Sequence, residues 1–241
     1  YWGTFIKLYE YDMTGMKTNI LFDLYNYLSL LLPKLALPIR LYERRDYKGN
    51  TLETTLSGLR VRLEEDKKKN LVNNFPTYHK LNVLGQTLNV HVYAFKKGSE
   101  TNYKKKHEGV LFTINGQTHG YFKERFFGRE KVGMDYIKNS LLVIVDCSDL
   151  DGRIREDTFM NSRDRLRYSN FRSEIESELE KIINKHQGLR KLREKRKREA
   201  KKSKKEDSSS FEEALNNILK KSPTFNKLFI QGDKLSNPFN L

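Results

Sequence analysis

Leu141-Leu142-Val143-Ile144-Val145-Asp146-Cys147-Ser148-Asp149-Leu150 decides how this chain reads, together with Asn161-Ser162-Arg163-Asp164 a short way downstream. The uninterrupted apolar run Leu141–Val145 predicts a strand buried on both faces. It ends in acidic and small polar residues, a loop follows, and Arg163 stands at the expected start of a long helix. Such an arrangement can hold a guanidinium at the edge of a sheet, where it can meet a phosphate.

Upstream, the alternating Gly3–Leu8 run predicts a strand, and Asp12–Lys17 a loop. Ile20, Leu21, Leu24, Tyr25, Leu28, Leu31 and Leu32 recur at helical spacing, which predicts an amphipathic helix over Met16–Leu32, ended by Pro33. A second strand follows Pro38 at Ile39–Glu43. A β-rich stretch then runs through Leu52–Leu63, with Gly58 as a turn or bulge, Leu81–Phe95, and Val110–Ile114, closed by Asn115-Gly116. Tyr121–Phe127 reads as a short helix or a further strand. Downstream, Phe171, Ile175, Leu179, Ile182, Ile183 and Leu189 mark a long helix. Lys201–Ser210 reads as a charged linker, and Phe211–Leu219 as a last short helix.

At 241 residues the chain holds one large domain or two small ones. Hydrophobic residues make up 37% and charged residues 32%, a balance that fits a folded core with a polar tail. The charge is concentrated. Between Arg190 and Lys205 stand eleven Lys/Arg and two Glu, +9 of the net +15. In a helix that density covers nearly every face and favours polyanions, with Arg190, Lys191, Arg193, Lys195, Arg196, Lys197, Arg198, Lys201 and Lys202 as candidate contacts.

Cys147 is the single cysteine, which excludes an internal disulfide framework and fits a reducing, cytoplasmic setting with a structural thiol. His79, His91, His107, His119 and His186 show no i,i+4 pair, so no metal site is expected, and His91 reads as a half-exposed strand residue. Tyr121, Phe122, Phe126 and Phe127 are expected to pack a core, with nucleic-acid stacking beside Lys123, Arg125 and Arg129 as the alternative. Lys67–Lys69 and Lys104–Lys106 read as solvated hairpin tips. Asp149 and Asp151 form a carboxylate pair without evident acid–base partners. No apolar run is long enough to span a membrane, and no signal peptide is visible. Tyr1 falls inside a strand-like run, so a fragment lacking an N-terminal portion is expected.

The order of these motifs resembles the GHKL ATPase superfamily of gyrase B subunits, histidine kinases, MutL mismatch-repair proteins, the MORC group and the ninety-kilodalton heat-shock chaperones. Trp2–Leu8 resembles the Gly-Thr strand closing the nucleotide-binding domain, and Leu37–Glu43 the chaperones' entry into their middle domain. Phe112–Gln117 resembles the MutL Val-Asn-Gly-Arg strand and turn, with Gln117 in place of Arg. Val145–Leu150 and Ser162-Arg163-Asp164 resemble the chaperones' Val-Asp-Ser-Glu-Asp-Leu and Ser-Arg-Glu, with a longer intervening loop and Asp164 in place of Glu. The match covers about residues 2–186.

The resemblance implies an α+β transducer, a mixed sheet of ribosomal-protein-like left-handed βαβ type with flanking helices and a long basic C-terminal helix. It divides the chain into 1–10 (last strand of a nucleotide-binding domain), 11–186 (transducer or middle domain), 187–210 (basic extension and linker) and 211–241 (a further segment). It implies that Arg163 contacts the γ-phosphate, that Asp164 orients it, and that Ser162 or Asn161 caps its helix. Arg153, Arg155, Arg165 and Arg167 are alternatives under another register. ATP and Mg would bind the protein's own N-terminal domain, since the nucleotide domain's acidic-to-Asn helix and Asp-x-Gly-x-Gly motif are not in this stretch; no ligand is expected on this portion alone. A homodimer, and work on DNA in repair or bacterial defence, are further implications. The competing expectation is a non-enzymatic nucleic-acid-binding module built on the basic helix.

Overall fold

The computed structural model describes residues 23–42, 53–104, 108–162 and 165–221. The predicted Gly3–Leu8 strand, the first part of the Met16–Leu32 helix, and both Arg163 and Asp164 lie outside them. The chain divides into two compact units, Tyr1–Leu189 and Arg190–Leu241.

The first unit is built on a five-stranded mixed sheet. Its strands are β3 (Thr77–Val83), β4 (Gln86–Ala94), β5 (Glu108–Ile114), β6 (Gln117–Lys123) and β7 (Leu141–Asp146). Their order is β3-β4-β7-β5-β6, so the last strand in sequence lies at the centre, as its apolar run requires. Every neighbouring pair is antiparallel except β5 and β7, which are parallel, Val110 opposite Val143 through Thr113 opposite Asp146. The crossover joining that parallel pair contains β6 and two 3-10 turns, Glu124–Phe126 and Asp135–Ser140. A separate hairpin pairs β1 (Ile39–Tyr42) with β2 (Glu53–Leu56).

Helices flank the sheet. On one side, α1 (Tyr25–Leu31) and α2 (Leu59–Glu65) bring Leu30, Leu59 and Leu63 into a cluster with Tyr93, Phe95, Leu111, Leu142 and Ile144. Full burial of each such side chain is worth about 1.5–3 kcal/mol. Against β3 packs α5 (Asn170–Lys185), burying Phe171, Ile175, Leu179 and Ile183, a four-residue repeat that places them in one stripe. Arg129 ties this helix down, with Nη1 2.8 Å from Glu176 Oε2 and 2.9 Å from Glu180 Oε1. The whole is an α+β fold, a mixed sheet flanked by helices with a long C-terminal helix, α6 (Gln187–Lys221). Among the described residues no helix is long and apolar enough to cross a membrane.

Several expectations need correction. Leu59–Glu65 is helix rather than strand, with Gly58 (φ +94) at its N-cap, where an added Cβ would lie 2.9 Å from Pro33 O. Lys67–Lys69 belong to a short helix, α3 (Lys67–Asn70), rather than a hairpin tip. Lys104 is buried, because its ammonium donates to Glu108 O at 3.1 Å and Leu141 O at 2.8 Å. Burial pushes its pKa down to about 8, against the pull of Glu124. His91 is buried rather than half-exposed, with the Tyr78 ring edge-on to it at 4.9 Å. The Lys201–Ser210 linker is helical, continuous with Phe211–Leu219 inside α6. Phe122, Phe126 and Phe127 pack the core as expected, whereas Tyr121 is exposed.

Candidate functional site

The C-terminal ends of β5 and β7 lie side by side because the two strands run parallel. Each continues into a motif the sequence singled out. Beyond β5, Asn115 (φ +50) and Gly116 (φ +81) form the tight turn into β6, both central residues having the positive φ of a type I′ turn. Beyond β7, Cys147 N–H donates to Thr113 O at 2.7 Å and extends the pairing by one residue.

Ser148 then joins the two motifs. Its hydroxyl donates to Asp146 Oδ1 and accepts the Asn115 backbone N–H at 2.9 Å. Ser148 N–H donates to the same Asp146 oxygen at 3.1 Å. Cys147 is fully buried, and burial first, with the Asp146 charge second, raises its thiol pKa. It is a structural residue, not a nucleophile.

The loop that follows is organised by α4 (Gly152–Thr158), an element hidden in a polar stretch of sequence. Asp151 Oδ1 caps it, accepting Arg153 N–H at 2.9 Å. From α4, Arg155 reaches back, its Nη2 donating to Ser148 O at 3.0 Å and Leu150 O at 3.1 Å, while its Nε is buried without a hydrogen-bond partner. A bridge pairs Phe159 with Leu166, and Arg167 N–H donates to Thr158 O at 2.8 Å. Gly120 of β6 lets this arm lie close, since a Cβ there would stand 2.6 Å from Leu166 Cδ1 and 3.2 Å from the Arg165 carbonyl carbon.

Between the turn and the arm lies an open cleft of about 550 Å³, half polar and half apolar in its lining. Asn115, Gln117 and His119 line one wall, and Arg155, Glu156, Phe159, Met160 and Asn161 the other. His119 occupies a β-bulge. Phe112 pairs with Gly120 and Thr113 with Thr118, which leaves His119 as the extra residue, and its ring meets Phe159 edge-on at 5.9 Å.

Of the predicted site residues, Asn161 lines the cleft and Ser162 sits in the adjoining turn. Neither caps a helix. The long helix begins only at Asn170, capped by Ser169, whose hydroxyl accepts Arg172 N–H at 3.1 Å. Positions 163 and 164 fall between the two sides of the Phe159–Leu166 bridge in sequence but lie outside the described residues. Arg153, Arg165 and Arg167 are exposed. Sequence reasoning missed His119 as a lining residue; its only signal was a position two residues beyond a type I′ turn. Among the described residues no group of three His, Cys, Asp or Glu could hold a metal ion.

The predicted basic residues Arg190, Lys191, Arg193, Lys195, Arg196, Lys197, Arg198, Lys201 and Lys202 all fall on α6, in the second unit. No family model matches this chain, and no curated protein matches it.

Proposed function

We propose that the first unit is the transducer part of a GHKL-type ATPase, coupling nucleotide state to domain movement through Arg163. The cleft carries this reading. It brings the Asn115-Gly116-Gln117 turn and the Arg155–Asn161 arm, distant in sequence, to one end of the sheet through the Asp146–Ser148–Asn115 link. The described lining carries one arginine, Arg155, and one carboxylate, Glu156, so the charge that would favour an anion has to come from the arm. Arg155 is committed to two carbonyls and braces the loop, while positions 163, 165 and 167 add three further guanidinium groups close by in sequence.

ATP and Mg would be held by a separate nucleotide-binding domain, whose γ-phosphate supplies the negative charge that Arg163 senses. A planar guanidinium pairs with two phosphate oxygens, and that contact is lost when the γ-phosphate leaves. Loss of the contact would free the arm that Thr158–Arg167 and Phe159–Leu166 hold against β6. Nucleotide state would thereby reach the sheet.

The test is ATP hydrolysis by the protein carrying its nucleotide-binding domain. Arg163→Ala is expected to lower kcat by roughly 10²–10³-fold, the usual effect of deleting one donor to developing charge, with melting unchanged. Arg165→Ala and Arg167→Ala are expected to stay within about threefold of the parent, an effect below about 1 kcal/mol. Unchanged turnover in Arg163→Ala overturns the assignment.

A further inference from the structure

We infer that one flank of α6 is a docking surface for the phosphate backbone of double-stranded nucleic acid. This inference is independent of the ATPase reading, since it rests on the second unit alone.

The basic run is helical, and a helix sorts its side chains by angle. At 3.6 residues per turn, Arg190, Lys191, Lys195, Arg198, Lys201 and Lys202 fall within a sector of about 140°. All six are exposed. Arg193 and Arg196 project outside that sector, are half-buried, and are occupied by acids. Arg193 Nη2 lies 2.8 Å from Glu194 Oε1, and Arg196 Nη1 lies 3.8 Å from Glu199 Oε2. Glu194, the one acid inside the sector, is therefore held by an arginine at its margin. All six cations of the sector are exposed, and Glu194 is the one acid among them.

Length matches as well as charge. From residue 190 to 202 the helix rises about 18 Å at 1.5 Å per residue. A duplex presents one negative charge per roughly 1.7 Å, or about ten over that length. Lys and Arg on a single flank can meet several of these at once, and the counterions so released drive binding without regard to base sequence.

The same flank argues against a lipid surface. A helix that lies in a membrane interface needs an apolar face of Leu, Phe or Trp beside its cations. The sector holds none, and the two leucines of these turns, Leu189 and Leu192, are buried.

The experiment measures binding of the full chain to a mixed-sequence 25-base-pair duplex (about 85 Å of B-form helix) by fluorescence anisotropy over a salt series. Six phosphate contacts predict a slope of log K against log salt of about −5, and the fourfold variant K191Q/K195Q/R198Q/K202Q a slope of about −2 with affinity at least tenfold weaker. The R196Q variant is expected to bind within about threefold of the parent, because Arg196 and its partner Glu199 both lie off the sector. Circular dichroism reports whether α6 stays helical. If the fourfold variant loses helix, the single reversals K191E and K202E are read instead, each expected to weaken binding by several-fold. Duplex affinity unchanged in these variants overturns the inference. So does tighter binding to phosphatidylserine vesicles or to polyglutamate than to the duplex at equal salt.

Discussion

His186 Nδ1 accepts the backbone N–H of Leu189 at 3.2 Å, so the imidazole that ends α5 also satisfies a free donor in the first turn of α6. An accepting Nδ1 carries no proton, which places the proton of the neutral ring on Nε2. That nitrogen lies 2.9 Å from Thr77 Oγ1, and Thr77 Oγ1 lies 3.2 Å from His79 Nε2. His186 Nε2 therefore donates to Thr77 Oγ1, and the same hydroxyl is within hydrogen-bond distance of His79 Nε2. The two rings stand edge-on at 5.3 Å, with Phe75 stacked on His186 at 5.5 Å.

Protonation of His186 at Nδ1 removes the acceptor for Leu189 N–H, and the pKa of both His186 and His79 is lowered. Burial is the main cause for both, and for His186 the neighbouring His79 adds to it. His91 is lowered too, by burial and then by Arg60. A histidine with a depressed folded pKa is protonated first in the unfolded chain, so its contribution to stability is complete above about pH 6.5 and falls as the pH drops below that value. The melting temperature is expected to be flat above pH 7 and to decline steadily toward pH 5. His186→Ala is expected to cost about 1 kcal/mol at pH 7.5, as lost helix caps do, and to flatten part of that decline. A decline as steep in the variant as in the parent excludes His186 as a contributor.

Lys104 is a clip between the two strands of the parallel pair, with its ammonium shared by Glu108 O at the start of β5 and Leu141 O at the start of β7. Lys104→Ala orphans both carbonyls and opens a gap, and is expected to destabilise by about 2–4 kcal/mol. Lys104→Met fills the space without satisfying the carbonyls, and is expected to recover about 1 kcal/mol of that loss. Equilibrium denaturation of the two variants reads the difference; equal stabilities show that hydrogen bonding, not packing, carries the effect.

Gly116 holds a φ of +81°, and a Cβ there would lie 2.4 Å from Lys34 O, whose own N–H donates to Gly116 O at 3.1 Å. Gly116→Ala is expected to destabilise by more than about 1 kcal/mol, because neither backbone nor neighbour can yield cheaply. Gly85 has a similar φ of +78° but open space around it. Gly85→Ala therefore isolates the conformational cost, and thermal melts should rank Gly116→Ala below it.

Ser148→Ala removes the link between the Asn115 turn and Asp146. The Asn115 N–H is exposed enough for water to replace the lost partner, so the expected loss is modest, about 0.5–1.5 kcal/mol. Amide hydrogen exchange should locate it, with faster exchange at Asn115 and Ser148 and no change at Val143 or Ile144. Uniform acceleration across the sheet contradicts a local link.

Parts of this structure were legible because one kind of signal was enough. The Leu141–Val145 run needed only burial on both faces, and Asn115-Gly116 only a tolerance for positive φ. Other turns gave no such cue. Leu84 takes a φ of +47° between β3 and β4, a conformation that leucine sequences do not advertise, so the two strands read as one run. Around Thr54, Thr55 and Val61 a β-prone composition masked α2, whose apolar residues Leu59 and Leu63 are set by tertiary packing. In the site, the shared edge of two motifs was foreshadowed by their strands, whereas His119 enters the cleft through a bulge, which depends on register rather than residue type. The meeting of His79 with His186 depends on how α5 lies on β3, a long-range relation that local spacing does not encode.

The parallel run of β5 beside β7 has a consequence for how such a site can change. Both strands deliver their chains to the same rim, so what is fixed there is a pair of exit points, Ile114 and Asp146. Between Leu150 and Leu166 the chain makes an excursion, α4 and then the turn beyond Phe159, and returns to Gly120 without entering the sheet. No described residue of that excursion belongs to the five-stranded sheet, so residues added there are expected to leave its strand pairing unchanged. The rim is thus a fixed pair of exits carrying a segment of variable length, so the length of that segment and the pairing of the sheet beneath it are separate variables.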